Sequence, residues 1–262
     1  MAGNTGENII KTHAENKMGT APIGKLLASM AWPAVLSMTI VALYNIVDSI
    51  FVAMISQKAL TAVSLILPIQ ILMISVAVGS AVGVNSLIAR RLGARRFDEA
   101  NKAASTSIRI GIFNFAIFAL MGLFFAKPFL TLYTSDPVIF SYGNSYLRIV
   151  TIFCIFIMVE IQMEKVLQAT GNMVAPMIIS MSGAVTNIIL DPILIFGMFG
   201  FPRMEVQGAA IATVTGQFVS LIVAAYIVST GEKAVDIQLK GFKLDWNIVK
   251  DIYAVGFPGM VM

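Results

Sequence analysis

ALTAVSLILPIQILMISVAVGSAVGVNSLIA, residues 59–89, runs for 31 residues without an Asp, Glu, Lys or Arg. About 20 such residues in a helix cross the hydrocarbon of a bilayer, so this stretch spans a membrane with turns to spare. Two more charge-free runs follow, 25 residues at 166–190 and 26 at 206–231. The whole 262-residue chain agrees, being 58% hydrophobic and only 12% charged. Soluble domains carry roughly 25% charged residues, so a water-facing surface cannot be built from this composition and a soluble enzyme is excluded. The expected fold is an all-α integral membrane bundle.

Working outward, helices are expected at about 25–54, 59–89, 103–126, 143–168, 172–198 and 205–229, and a seventh apolar segment begins near Trp246. Residues 1–24 are polar, lack the apolar core of a signal peptide, and read as a disordered tail. Residues 25–230 form a six-helix lobe, 231–245 a linker, and 246–262 the start of a second lobe. With the N-terminus in the cytoplasm, 13 of the 18 Lys and Arg residues fall on the inner side and three outside, as the positive-inside rule requires. Tail and linker are then cytoplasmic and the chain is a multi-pass protein of the plasma membrane. The RRLGARR stretch at 90–96 reads as a topology anchor, and the net charge of +4 does not imply nucleic acid.

KLLASMAWPAVLS (25–37) aligns with KDIYAVGFPGMVM (250–262) at an offset of 225 residues, placing Lys25 over Lys250 and Pro33 over Pro258. This places the start of a repeated lobe at 250, so a further C-terminal lobe is expected to be missing from the chain. Substrate held between two rocking lobes is a transporter arrangement.

A carboxylate in hydrocarbon costs about 2.5–3.5 kcal/mol on insertion scales, which makes each intramembrane acid a functional candidate. Asp48 lies in the first span and Asp191 in the fifth. At about 1.5 Å per residue they rise roughly 35 and 29 Å from the cytoplasmic ends, close enough in depth to share one site. Tyr44 precedes Asp48 by four residues and Asn187 precedes Asp191 by four, so each acid has a polar neighbour on its own helix face. Such oxygens suit a proton or a hard cation such as Na⁺, held transiently at Asp48, Asp191 and Asn187, and no resident metal or cofactor is expected. Asn45 adjoins this group. The bland alternatives are a helix cap at Asp48 and a kink at Asp191–Pro192, since Pro192 removes a backbone donor. The kink is compatible with a site at Asp191 and makes Pro192 a candidate hinge of the fifth span, while Pro33 is either a hinge of the first span or a tolerated proline. Glu160 and Glu164, i and i+4 in the fourth span, lie at a depth similar to Arg109 in the third. They either gate the inner mouth or fix packing. Gly79 and Gly83 form a GxxxG that reads as close helix packing. There is no GxxxxGK[ST], GxSxG, HExxH or CxxC, so neither ATP drive nor a standard catalytic centre is indicated.

WPAVLSMTIVALYNIVDSIFVA (32–53), SLIARRLGARRFDEA (86–100), LQATGN (167–172) and NIILDPILIFG (187–197) resemble the multidrug and toxic compound extrusion (MATE) family, most of all its MepA-like branch. The resemblance runs from about Lys25 to Met262 and covers the family's N-terminal lobe and the start of its second. It implies half of a twelve-helix transporter that exports small cationic or aromatic drugs in exchange for H⁺ or Na⁺. It further implies Asp48, Asn187 and Asp191 as the coupling site, Tyr44 and Thr213 as accessory oxygens, and Pro33 as the bend proline. Two alternatives compete: a lipid-linked oligosaccharide flippase, whose diphosphate cargo would favour buried Arg and Lys where this site is acidic, and a membrane-embedded enzyme, for which no nucleophile and base share a depth.

Overall fold

The computed structural model describes residues 22–230, 235, 237 and 246–261. The tail and linker expected at 1–24 and 231–245 lie almost wholly outside them, although Ile23 and Gly24 open the first helix. Among the described residues all regular structure is helical: α1 (Ile23–Ile55), α2 (Gln57–Gly93), α3 (Phe97–Tyr133), α4 (Pro137–Ile152), α5 (Ile155–Ala169), α6 (Val174–Phe196), α7 (Val206–Thr230) and α8 (Trp246–Val261), with a 3₁₀ turn at Met198–Gly200. Among the described residues five helices are long and apolar enough to cross a membrane, and six spans result if the α4–α5 pair is counted as one. The chain is a multi-pass membrane protein.

The fourth span departs from expectation. It is not one helix over 143–168 but two, α4 and α5, bent by 47° at Phe153–Cys154. No proline or glycine marks the break. Thr151 Oγ1 donates to the Leu147 carbonyl at 2.7 Å, a back-bond that bends helices, and Thr151 also fills the space a Cβ on Gly122 of α3 would need. Past the bend Met158 N–H resumes the helical pattern by donating to the Cys154 carbonyl at 3.0 Å. Third-span boundaries also fall wide of 103–126, because α3 extends at both ends beyond the apolar segment.

Local chemistry sets the helix ends. Asp136 caps α4 by accepting from the N–H groups of Val138 and Ile139 at 2.9 and 3.4 Å, with Pro137 at the first helical position. Ser56 Oγ caps α2 by accepting from Ala59 N–H at 3.1 Å. Gly197 ends α6 at φ +75°, a left-handed conformation that glycine adopts freely. At one end of the bundle Lys58 pairs with Asp136 at 2.7 Å and Tyr142 donates to Glu205 at 2.5 Å, so the α1–α2, α3–α4 and α6–α7 connections are tied together. Arg91 pairs with Glu99 at 2.8 Å at the opposite end.

Two apolar clusters fill the interior. One gathers Ile66, Phe118, Leu147, Met158 and Ile195, and the other gathers Val84, Ile88, Ala104, Val166 and Ile252. The outward faces stay apolar, with Met38, Phe113, Phe124 and Phe125 all exposed. Lipid tails cover such side chains without penalty, so neighbouring helices meet through small residues instead. Gly79 and Gly83, the expected packing motif, lie against Gly256, Ile252 and Met260 of α8.

Candidate functional site

Three helices bring the expected acids together. The α6 helix packs along both α1 and α7, and the close α6–α7 approach rests on Gly183 and Gly216. A Cβ on Gly216 would lie 2.8 Å from the Gly183 carbonyl and 3.4 Å from Asn187 Cβ, so a larger residue there would push α7 away from the site. Ser220 Oγ adds a bond to the Ile179 carbonyl at 3.0 Å.

Asn187 and Asp191 project from α6 into this contact, and Asp191 is 0% exposed. The Asn187 amide donates to Asp191 Oδ2 at 3.2 Å and accepts from Thr213 N–H at 3.2 Å when its oxygen faces α7. Across α1 the carboxyl of Asp48 lies within hydrogen-bond reach of Asp191. Asp48 Oδ1 is nevertheless buried without a hydrogen donor among the described residues. Two acceptors thus face each other, an arrangement that a proton shared between them or a bound cation satisfies. Tyr44, one turn before Asp48, is close enough to feel the charges of Asp48, Asp191 and Glu160.

Two further residues belong here that the sequence reading did not single out. Tyr146 of α4, 2% exposed, bonds with Thr213 and accepts from Gln70 Nε2 at 3.4 Å. Gln70 is the polar residue in the middle of the apolar run ILPIQILMI, the one signal that marked it. The two join α2 and α4 to the acids through Thr213.

Other candidates lie apart. Asn45 is exposed, donates to the Val41 carbonyl of its own helix at 2.9 Å, and lines a shallow groove with Ile46, Ser49, Ile50, Ala53 and Leu60. Pro33 is buried within α1, which runs unbroken past it, about 22 Å of helix before Asp48. Pro192 follows Asp191 directly inside α6. Glu160 is 7% exposed on α5, beside Glu164, and the cation acting on both is Lys165. Glu164 accepts from Gln168 Nε2 at 2.8 Å, and Lys165 Nζ donates to Gln168 Oε1 at 2.9 Å. Arg109 is half-buried on α3.

The chain is 30% identical to the FAD transporter of Shewanella oneidensis over 212 residues, 79% of this chain and 46% of that protein. It is 28% identical to a probable multidrug resistance protein NorM of Thermotoga maritima over 90% of this chain and 51% of the relative. It thus spans about half the length of these relatives. A solved structure of a MOP superfamily transporter from Pyrococcus furiosus superposes with a TM-score of 0.84 at 28% identity, covering 90% of this chain and 52% of the other. The MatE family profile matches residues 33–193, a segment that contains Pro33, Asp48, Asn187 and Asp191, and the chain belongs to the MatE family.

Proposed function

We propose that this chain is the ion-coupling lobe of a secondary active transporter that exports small cationic or aromatic drugs in exchange for H⁺ or Na⁺. The observation that carries the reading is the facing pair of carboxyls, a half-buried Asp48 against a fully buried Asp191, with a buried Asp48 oxygen that lacks a donor among the described residues. A proton or a Na⁺ ion entering between them satisfies both acids, and its departure restores the repulsion. An ion bound on one side of the membrane and released on the other thereby drives the lobe between states. Asn187, Thr213 and Tyr146 hold the acids in register, and Tyr44 adds a hydroxyl near the ion. A second lobe facing α1 and α2 completes the drug path. The setting is the cell membrane, with the N-terminus in the cytoplasm.

Ethidium movement against an imposed H⁺ or Na⁺ gradient, in proteoliposomes that hold this lobe together with its facing lobe, tests this. Uphill movement that collapses with the gradient supports antiport, and movement indifferent to both gradients overturns it. The likeness to the Shewanella oneidensis FAD transporter favours one second reading of the cargo, a flavin nucleotide, which is aromatic like the drugs but anionic. Excess FAD that suppresses ethidium movement would favour it.

A further inference from the structure

We propose that the lipid-facing groove between α3 and α4 holds the headgroup of an anionic phospholipid, whose phosphate is taken by Arg148 and Lys127 in the leaflet at the Lys58–Asp136 end. This site is separate from the coupling acids and does not depend on antiport.

Arg148 is half-buried on α4, about 16 Å of helix inside Pro137, and Lys127 is exposed on α3. Neither side chain forms an ion pair or a hydrogen bond with another described residue. A cation inside a span is costly unless it is paired or drawn to the interface. Thr151 against Gly122 and Leu130 against Gly143 fix the antiparallel register of the two helices. That register sets Arg148 across from Phe125 and Lys127 across from Tyr146, about 3 Å apart in height. Phe118 of α3 and Tyr146 of α4 mark the interior side of the pair. Lys127 lies about 180° round its helix from Phe118 and Arg148 about 160° round from Tyr146, so both face lipid. Side chains lean towards the N-terminus of their own helix. Because the helices run oppositely, Arg148 leans towards the Asp136 end and Lys127 away from it, and the two heads converge. Lys127 also closes a run of 17 residues, 110–126, without Asp, Glu, Lys or Arg, which places it at the edge of the hydrocarbon.

Two converging cations repel each other unless an anion lies between them, and the anion that a bilayer supplies at this depth is lipid phosphate. A guanidinium fork matches two phosphate oxygens, and an ammonium adds a contact to a third. Ser141, two turns outward from Arg148 on the same face of α4, is exposed and offers a hydroxyl to the polar headgroup. On the other side of the cations the groove is apolar. Leu120 and Leu123, on the α3 stripe that ends in Lys127, are 56% and 46% exposed, the surface an acyl chain needs. The order along the groove, hydroxyl, two cations, then hydrocarbon, is that of a phospholipid. A choline or ethanolamine headgroup would bring an ammonium against both cations, whereas phosphatidylglycerol brings only hydroxyls, so the anionic lipid is selected.

Brominated lipids quench tryptophan on contact, which gives a test local to this groove. The reporter is Leu123→Trp in the full chain, with the exposed Trp32 and Trp246 replaced by phenylalanine. In mixed vesicles, brominated phosphatidylglycerol should quench it with at least about fivefold preference over brominated phosphatidylcholine. Arg148→Gln and Lys127→Gln should each lower the preference and together bring it to parity, whereas Arg90→Gln, at the other end of the bundle, should leave it unchanged. Parity in the parent chain, or a preference that survives in the double variant, overturns the site. An equal loss in Arg90→Gln overturns it too, because bulk charge and not this groove then selects the lipid. Loss of the preference on adding excess inorganic phosphate would assign the two cations to a soluble anion and overturn the lipid. If Leu123→Trp does not insert, Phe124→Trp, at the next exposed position of α3, reads the same groove.

Discussion

Asp191 is fully enclosed, held by Asn187, and faced by a second acid, which makes it the first place to test the proposed coupling. Asp191→Asn keeps its shape and removes its charge. Cation-driven efflux should fall at least about tenfold, equivalent to roughly 1.4 kcal/mol of barrier, while insertion into the membrane stays normal. Asp48→Asn should act in the same direction. The double variant should be little worse than the more damaging single one, since the two act as a unit. Gradient-driven ethidium efflux compared across the three variants checks this, and wild-type rates in Asp191→Asn would move the coupling to Glu160 and Glu164. These acids stood out in the sequence because a carboxylate in hydrocarbon is rare enough to be noticed singly. Tyr146 and Gln70 could not be found that way. A tyrosine or glutamine in an apolar helix is commonplace, and only the packing of α2 against α4 joins two residues 76 positions apart. Asn45, adjacent to Tyr44 in sequence, points roughly 100° around the helix from it and donates to the Val41 carbonyl, since neighbours at i and i+1 do not share a face.

At the scale of elements, hydropathy located every span to within a few residues except where a helix outran its apolar core, as α3 does, or broke without a proline, as the fourth span does. That break depends on Thr151 bonding back to its own helix beside a glycine of α3, a tertiary event with no local sequence mark. Glycine contacts were half legible. The GxxxG of α2 announced close packing but not its partner, and Gly216, on which the α6–α7 approach depends, carried no motif at all. Gly216→Leu should destabilise the bundle by on the order of 1–3 kcal/mol through overpacking against the Gly183 carbonyl, and should lower the thermal unfolding midpoint in detergent. An unchanged midpoint would mean that α6 and α7 separate freely. Pro33 poses a different question, since α1 continues unbroken through it. Pro33→Ala restores a backbone donor and stiffens the helix, so efflux should drop while ethidium binding, read by fluorescence polarisation, persists. Equal efflux in the variant would reduce Pro33 to a packing residue.

Across the whole molecule the connections sort cleanly to two ends. Ser56, the 134–136 turn and the 197–205 segment share one end, tied by Lys58–Asp136 and Tyr142–Glu205. The 94–96 turn shares the other with the start of α8, where Arg91 reaches both Glu99 and Asp251. The second end carries four arginines within seven residues, Arg90, Arg91, Arg95 and Arg96, whereas the first holds only scattered cations. Insertion follows the Lys and Arg balance of short connections, and acidic residues contribute little to it, so the ion pairs at either end do not weaken the bias. The arginine-rich end is therefore expected in the cytoplasm. Thiol labelling gives a direct check, because the native Cys154 is fully buried and silent towards bulky reagents. Ala94→Cys should react with a membrane-impermeant maleimide only after cells are permeabilised, and Ser135→Cys should react in intact cells. Both positions are exposed, so failure of one to label reflects sidedness and not burial. Labelling of Ala94→Cys in intact cells, with Ser135→Cys protected, would invert the bundle. It would also place the groove of Arg148 and Lys127 in the inner leaflet, and the order in which the coupling ion and the drug meet Asp48 and Asp191 would have to be reversed.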